Sequence, residues 1–266
     1  MIREKKVIGI LGTGQLAEFI ITGIHKVNAP YNFILSPRSY DRTLKLKNLF
    51  DLEIAESNQD LLDKCEMVFI CLPAKNSLLI LSDLSFRKEN TILSAMAGIT
   101  REELLKITNS KFVHTSMMPG YANASNKGPS LLFPKDPEWQ KFLSFLGPVF
   151  QCENEKEFNV AAVIGAVSGA SFVLFETLSK WFTDNNLSSK FSQKLLLETL
   201  RGNIDIALES DEDLSEIISK VSTPGGITET LVNQLDKQEA LSSWKKGMDI
   251  IPVSYTHLTL PTNREV

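Results

Sequence analysis

The sequence predicts an α/β fold, a doubly wound and mostly parallel sheet followed by an all-helical domain. Three observations predict it. From Lys6 to about Cys152 short apolar runs alternate with helix-period stretches, the pattern of βαβ units. A glycine-rich turn, Gly12-Thr13-Gly14, stands where the first apolar run gives way to the first helical stretch. Beyond Phe158 strand-like runs stop, and helical patterns continue to about Ile251. The expected domains are therefore residues 1–152, residues 153–252, and a tail at 253–266 that is set apart below.

Six runs read as strands: VIGIL at 7–11, NFILS at 32–36, a weak LEIA at 52–55, MVFICL at 67–72, TILSA at 91–95 and KFVHT at 111–115. Uninterrupted apolar runs such as MVFICL suit parallel strands buried on both faces. Helices are expected to open near Gln15, Asp41, Asn58, Asn76 and Arg101, the last behind Thr100 as N-cap with Glu103 three residues on. In the second half one long helix is predicted from about Phe158 to Asp184. Its first part is rich in small residues, Gly165, Ala166, Ser168, Gly169, Ala170 and Ser171. At 1.5 Å per residue such a helix is about 40 Å long, more than a small domain needs, so a partner chain is expected to cover it.

Composition removes several function classes. With 28 basic against 32 acidic residues and no long basic run, the chain lacks the positive face that nucleic acid requires. Three cysteines, Cys65, Cys71 and Cys152, fit neither a disulfide framework nor a four-ligand zinc site, which points to a reducing cytoplasm. The apolar runs are read as too short or too interrupted to cross a membrane. Arg3, Lys5 and Lys6 ahead of an apolar run mimic a signal peptide, but Gln15 and Glu18 interrupt that run. VSYTHLTLPT at 253–262 resembles the translation of a sequencing adapter and is left out of the fold reasoning, along with His257.

The motif that carries chemistry is Gly12-Thr13-Gly14-Gln15-Leu16-Ala17. It follows a predicted strand and opens a predicted helix, the context of the dinucleotide fingerprint of Rossmann-type sheets, with Ala at its last position. Gly12 permits the tight turn, and Gly14 leaves room for a pyrophosphate to approach the N–H groups of the helix start. Some 20 residues on, where NAD-binding chains usually offer an acid to the ribose, the chain reads Ser36-Pro37-Arg38-Ser39. A guanidinium and hydroxyls suit a 2′-phosphate, so NADPH is preferred, with NADH left open.

A second glycine loop, Thr223-Pro224-Gly225-Gly226-Ile227-Thr228, precedes another helical stretch. Its free N–H groups and the Thr228 hydroxyl suit one small anion such as a carboxylate; a plain interhelical turn is the alternative. No Gly-x-Ser-x-Gly elbow, His-Glu-x-x-His pair or P-loop occurs. Asp211, Glu212 and Asp213 read as helix-start charges facing solvent, so no metal is expected. His25 falls on the first helix and His114 within a strand among apolar neighbours, so neither is read as catalytic.

Together these segments resemble the pyrroline-5-carboxylate reductase family, in order from Val7 to about Asp249. Leu16-Ala17-Glu18 matches the family's Met-Ala-Glu, Ser94-Ala95-Met96-Ala97-Gly98 its Ser-x-x-Ala-Gly, and Met118-Pro119 its Met-Pro. Ser168-Gly169 matches the Ser-Gly opening its long helix, and residues 223–228 its Ser-Pro-Gly-Gly-x-Thr loop. The resemblance implies a Rossmann domain joined to a helical dimerisation domain, a homodimer or an assembly of dimers, and hydride transfer to the C=N bond of a cyclic imine carboxylate. It assigns Leu72, Pro73, Ala97 and Gly98 to the cofactor. Met118, Pro119, Ser168, Gly225, Gly226 and Ile227 go to the substrate, with Thr228 as the candidate catalytic contact.

Three departures fall near the implied site. Cys71-Leu72-Pro73 replaces the family's Val-Lys-Pro, Gly120 replaces the Asn after Met-Pro, and Ala170-Ser171-Phe172 replaces a glycine-proline segment after Ser-Gly. They suggest an altered substrate or lost activity. Two other readings stand beside the first: a 3-hydroxyacid dehydrogenase-like enzyme, for whose lysine the second domain offers only Lys180, and a catalytically silent dinucleotide-binding module.

Overall fold

The computed structural model describes residues 5–37 and 40–257. The first stretch of chain runs β1 (Lys6–Leu11), α1 (Gln15–Lys26), β2 (Tyr31–Leu35), α2 (Tyr40–Phe50), β3 (Glu53–Ile54), α3 (Asn58–Lys64) and β4 (Met67–Ile70). It continues through α4 (Ser77–Ser82), β5 (Thr91–Ser94), α5 (Arg101–Thr108), β6 (Val113–Met117), β7 (Ser130–Phe133), α6 (Pro137–Ser144) and β8 (Val149–Gln151). The strands form one sheet in the order β3-β2-β1-β4-β5-β6-β7-β8. Every neighbouring pair is parallel except β6 with β7.

The period of two along each strand sorts the core into two layers. Ile8 and Ile10 of β1 and Phe69 of β4 face α1 and α6, where they meet Ile20, Ile21, Trp139 and Phe142. Leu11, Val68 and Ile70 face the other way, onto Leu61 and Leu62 of α3 and Leu104 of α5. Helix starts are set by side chains. Ser57 accepts from the Asp60 N–H, and Thr100 and Glu103 complete a reciprocal capping box.

Sequence reading stops short at the far side of the sheet. With β7 and β8, joined through α6, the described residues form eight strands where six were expected, and these two run antiparallel to the other six. β7 and β8 span only four and three residues, too few for periodicity to register. α6, however, carries legible signals: Asp136 caps the Trp139 N–H, with Pro137 in the first turn. β6 also begins at Val113 and extends to Met117, later than the run read from sequence.

The helical part opens with α7 (Glu155–Ala161) and α8 (Ile164–Asp184), so the single long helix expected from Phe158 is interrupted at Ala162 and Val163. The remaining helices are α9 (Ser189–Glu209), α10 (Leu214–Val221), α11 (Ile227–Lys237) and α12 (Ala240–His257). α12 runs past the expected domain end at 252 into the adapter-like segment, whose residues 258–266 lie outside the described ones.

The chain divides into two compact units, one holding the residues up to Gly165 together with those from Pro252 on, the other Ala166–Ile251. α7 belongs with the sheet for a physical reason: the Phe158 ring lies 6.5 Å from that of Phe133 on β7, and Val163 is buried.

The expectation that no stretch has the length and apolarity of a membrane span is corrected. Phe158 to Phe175 carries no charged side chain, and Glu155–Asp184 is long and apolar enough by length and composition. Its apolar side chains are largely uncovered in the single chain, with Phe172, Val173 and Trp181 all exposed. Across the unit Ala166–Ile251 only Ser179 and Ser192 are buried among the described residues. A helical unit that buries so little by itself leaves broad apolar faces for another surface to cover.

Candidate functional site: a dinucleotide turn and an adjoining cleft

β1 ends at Leu11 and the chain turns through Gly12, whose φ of +104° disfavours any residue with a Cβ. A Cβ there would stand 2.9 Å from the carbonyl carbon and oxygen of Cys71. The turn thus presses against the chain leaving β4, and brings the Leu72 main chain alongside it. Gly14 is different: a Cβ would meet only the Cys71 oxygen, at 3.9 Å. Gly14 is also the N-cap of α1 and brings no side chain to close the first-turn N–H groups of Gln15 and Leu16. Those groups carry the positive end of the helix dipole, so the turn offers open space and donors to an anion. The residues present therefore fit a dinucleotide pyrophosphate. Ala17 is fully buried, as close packing of the helix start on the sheet requires.

The end of β2 braces this turn. Ser36 is buried and its Oγ accepts from the Gly12 N–H at 2.9 Å. Thr13 shares a 2.5 Å hydroxyl bond with Thr43 of α2. Arg38 and Ser39, assigned to the 2′-phosphate, lie outside the described residues. Thr43 was not singled out in the sequence; a threonine inside an amphipathic helix gives no signal of a partner in the glycine turn.

A cleft of about 810 Å³ opens at the carboxyl ends of β5 and β6, where open α/β sheets bind ligands. Leu16, the fifth residue of the fingerprint, is part of its wall, so turn and cleft are contiguous. Ala97, Gly98 and Met118 also line it, with Gly98 at φ +76°. Leu72 is instead buried among Val68, Ile70 and Leu81, leaving only its main chain at the turn, while Pro73 beside it is exposed. Pro119 is half-buried and leads into Gly120 at φ +77°. A Cβ on Gly120 would press the Phe19 ring at 3.0 Å and Leu16 at 3.2 Å. The asparagine that the family resemblance leads one to expect would require Phe19 and Leu16 to shift by a few tenths of an ångström.

Sequence reasoning missed the α7 contribution to the cleft. Phe158, Val160 and Lys156 line it, together with Thr100 and Glu102 of the α5 start. Because residues 153–252 were read as the second domain, nothing placed Lys156 beside β5 and β6.

In the second unit Ser168 lies on α8, half-buried, its carbonyl accepting from the Ser171 hydroxyl. Gly225 has φ +74°, and Gly226 is the N-cap of α11. Ile227 and Thr228 are exposed. The Gly225 N–H is already engaged by Glu229 Oε2 at 2.7 Å.

Burial pushes the Cys65 thiol up to about 11 and raises Cys71 and Cys152 as well, so none is a ready thiolate. His114 is buried on β6, its Nδ1 3.0 Å from the Pro134 carbonyl, and burial holds its pKa below the usual imidazole range. Among the described residues no His, Cys, Asp and Glu gather as metal ligands.

Comparison with known proteins matches two family models in tandem. The model described as NADP oxidoreductase coenzyme F420-dependent covers residues 7–98, and that described as pyrroline-5-carboxylate reductase dimerisation covers residues 155–251. Pyrroline-5-carboxylate reductase of Corynebacterium melassecola is 23% identical over 86% of this chain and 90% of its own length. The Escherichia coli enzyme of that name is 23% identical over 88% and 91%. Among solved structures, 1-pyrroline-5-carboxylate reductase of Streptococcus pyogenes shares the fold at a TM-score of 0.85 and 20% identity, covering 96% of this chain and 99% of that one. Plasmodium falciparum pyrroline carboxylate reductase with NADP bound matches at 0.85 and 18%, covering 97% and 99%. An oxidoreductase-type sheet, a dimerisation-type helical region and relatives that align across both converge on one conclusion: the chain belongs to the pyrroline-5-carboxylate reductase family.

Proposed function

We propose that the chain is an NADPH-dependent reductase of a cyclic imine carboxylate, 1-pyrroline-5-carboxylate, yielding proline. The observation that carries this reading is the continuity of glycine turn and cleft through Leu16. The names of the relatives supply the substrate class. The dinucleotide supplies the hydride when bound.

The chain's own part is to bind, align and exclude water. Gly12, Thr13, Gly14, Gln15 and Leu16 receive the pyrophosphate on main-chain N–H groups, Ser36 supports that turn from the β2 end, and Arg38 and Ser39 set the preference for a 2′-phosphate. Leu72, Pro73, Ala97 and Gly98 border the rest of the cofactor. A protonated imine is already electrophilic, so alignment, worth perhaps 7 to 11 kcal/mol, outweighs acid–base help. Met118, Pro119 and Ser168 shape the substrate's surroundings, while Gly225, Gly226, Ile227 and Thr228 hold its carboxylate, Thr228 as hydroxyl donor.

The exposed apolar faces of α8 and α9 belong, in this reading, to a homodimer or an assembly of dimers. Free Cys65, Cys71 and Cys152 suit a reducing cytoplasm. The test mixes the protein with NADPH and, separately, 1-pyrroline-5-carboxylate, cyclic imines lacking a carboxylate, and 3-hydroxyacids with NADP⁺, following nicotinamide absorbance. Turnover of the first supports the proposal; turnover of the hydroxyacids alone, or of nothing, overturns it.

A further inference from the structure

We infer that Ser36 and Thr43 are positioning residues that preset the dinucleotide turn, rather than groups that touch the cofactor's phosphate. The inference rests on the dinucleotide reading of the glycine turn.

Ser36 lies where a residue reading the ribose or its 2′-phosphate is expected, and its hydroxyl invites that role. The geometry gives it another. Ser36 is 1% exposed, and its Oγ accepts from the Gly12 N–H at 2.9 Å. Gly12 holds the positive-φ turn against Cys71, so the bond pins the tight-turn residue of the fingerprint to the end of β2. Thr43, 1% exposed on α2, binds the turn from the other side. Its Oγ1 shares a bond with Thr13 Oγ1 at 2.5 Å and makes a long 3.5 Å contact to the Ser36 carbonyl. Three hydroxyls thus tie the β1–α1 turn, the end of β2 and α2 into one buried unit.

The connection couples two functions that are usually separate. The loop between Ser36 and α2 carries Arg38 and Ser39, the residues proposed for the 2′-phosphate, and both its flanks are bonded to the pyrophosphate turn. A turn preset in this way loses less freedom when a pyrophosphate arrives, which is where the hydroxyls contribute to affinity. Because the pyrophosphate is common to NADPH and NADH, loosening the brace weakens both dinucleotides equally. A hydroxyl that contacted the 2′-phosphate would matter for NADPH alone.

The experiment is calorimetric titration of the full chain with NADPH and with NADH, for wild type, Ser36→Ala, Thr43→Val and Thr43→Ser. Expected is a loss of about tenfold for each dinucleotide in Ser36→Ala and Thr43→Val, the scale of one buried hydrogen bond, with the NADPH to NADH ratio unchanged. Thr43→Ser restores wild-type affinity, because it returns the hydroxyl. If Ser36→Ala fails to fold, the two Thr43 variants decide the matter. Loss confined to NADPH, or affinity unchanged in Thr43→Val, overturns the inference. A wild-type chain that binds neither dinucleotide overturns the dinucleotide reading itself, an outcome distinct from the other two.

Discussion

Glu229 Oε2 accepts from the Gly225 N–H at 2.7 Å, so a carboxylate of the chain's own already uses one of the donors proposed for the substrate carboxylate. Glu229 sits in the first turn of α11, where an acid also favours the helix dipole. Its charge opposes the approach of a second anion. Glu229→Gln keeps an acceptor for the N–H and removes the charge, and is expected to lower KM for an imine carboxylate a few-fold with little change in kcat. A KM unchanged or raised in steady-state kinetics would show that the carboxylate binds elsewhere.

The two fingerprint glycines are constrained for different reasons, and substitution separates them. Gly12→Ala places a Cβ 2.9 Å from the Cys71 carbonyl at φ +104°, and is expected to cost roughly 1–3 kcal/mol of stability along with dinucleotide binding. Gly14→Val meets nothing nearer than the Cys71 oxygen at its Cβ, 3.9 Å away. It should melt close to wild type yet lose NADPH, because its bulk fills the space left for the pyrophosphate. Thermal melts paired with calorimetry read both quantities; a Gly14→Val protein that binds NADPH normally would place the pyrophosphate elsewhere.

Two imidazoles make the sheet domain acid-sensitive. Burial, the larger effect, holds His114 below its ordinary value of 6.5, and nearby Arg101 adds to this, against the Pro134 carbonyl bond and Asp136. His25 is lowered by burial and then by Lys5, and its ring lies 4.5 Å from that of Phe50. Both take protons more readily in the unfolded chain. Their neutral-state stability is therefore fully present above 6.5 and is lost as pH falls from there toward the depressed folded values. The loss is at most about 1.4 kcal/mol per pH unit for each ring. Urea unfolding across that window should show stability falling with pH and a shallower slope in His114→Gln; equal slopes would remove His114 from the account.

Much of the fold was legible because its central strands are buried on both faces. β1 and β4 read as continuous apolar runs, and the fingerprint between β1 and α1 announced itself by two glycines whose constraints are local. The Thr100–Glu103 cap at α5 was equally plain, since it uses adjacent residues. What escaped depended on long-range placement. β7 and β8 are too short for a period, and the helix interruption at Ala162 and Val163 is hidden inside one apolar stretch. That interruption returns α7 to the sheet and brings Lys156 and Phe158 to the cleft. Thr43 likewise acquires its role only when α2 lies beside the glycine turn. Gly120 looked like a lost asparagine, whereas in the structure it makes room for Phe19 and Leu16.

The most direct test incubates the protein with NADPH and 1-pyrroline-5-carboxylate and measures both NADPH consumed and proline formed. The account predicts proline in step with NADPH, and loss of both in Gly14→Val. NADPH left unconsumed, or consumed without proline appearing, would contradict it.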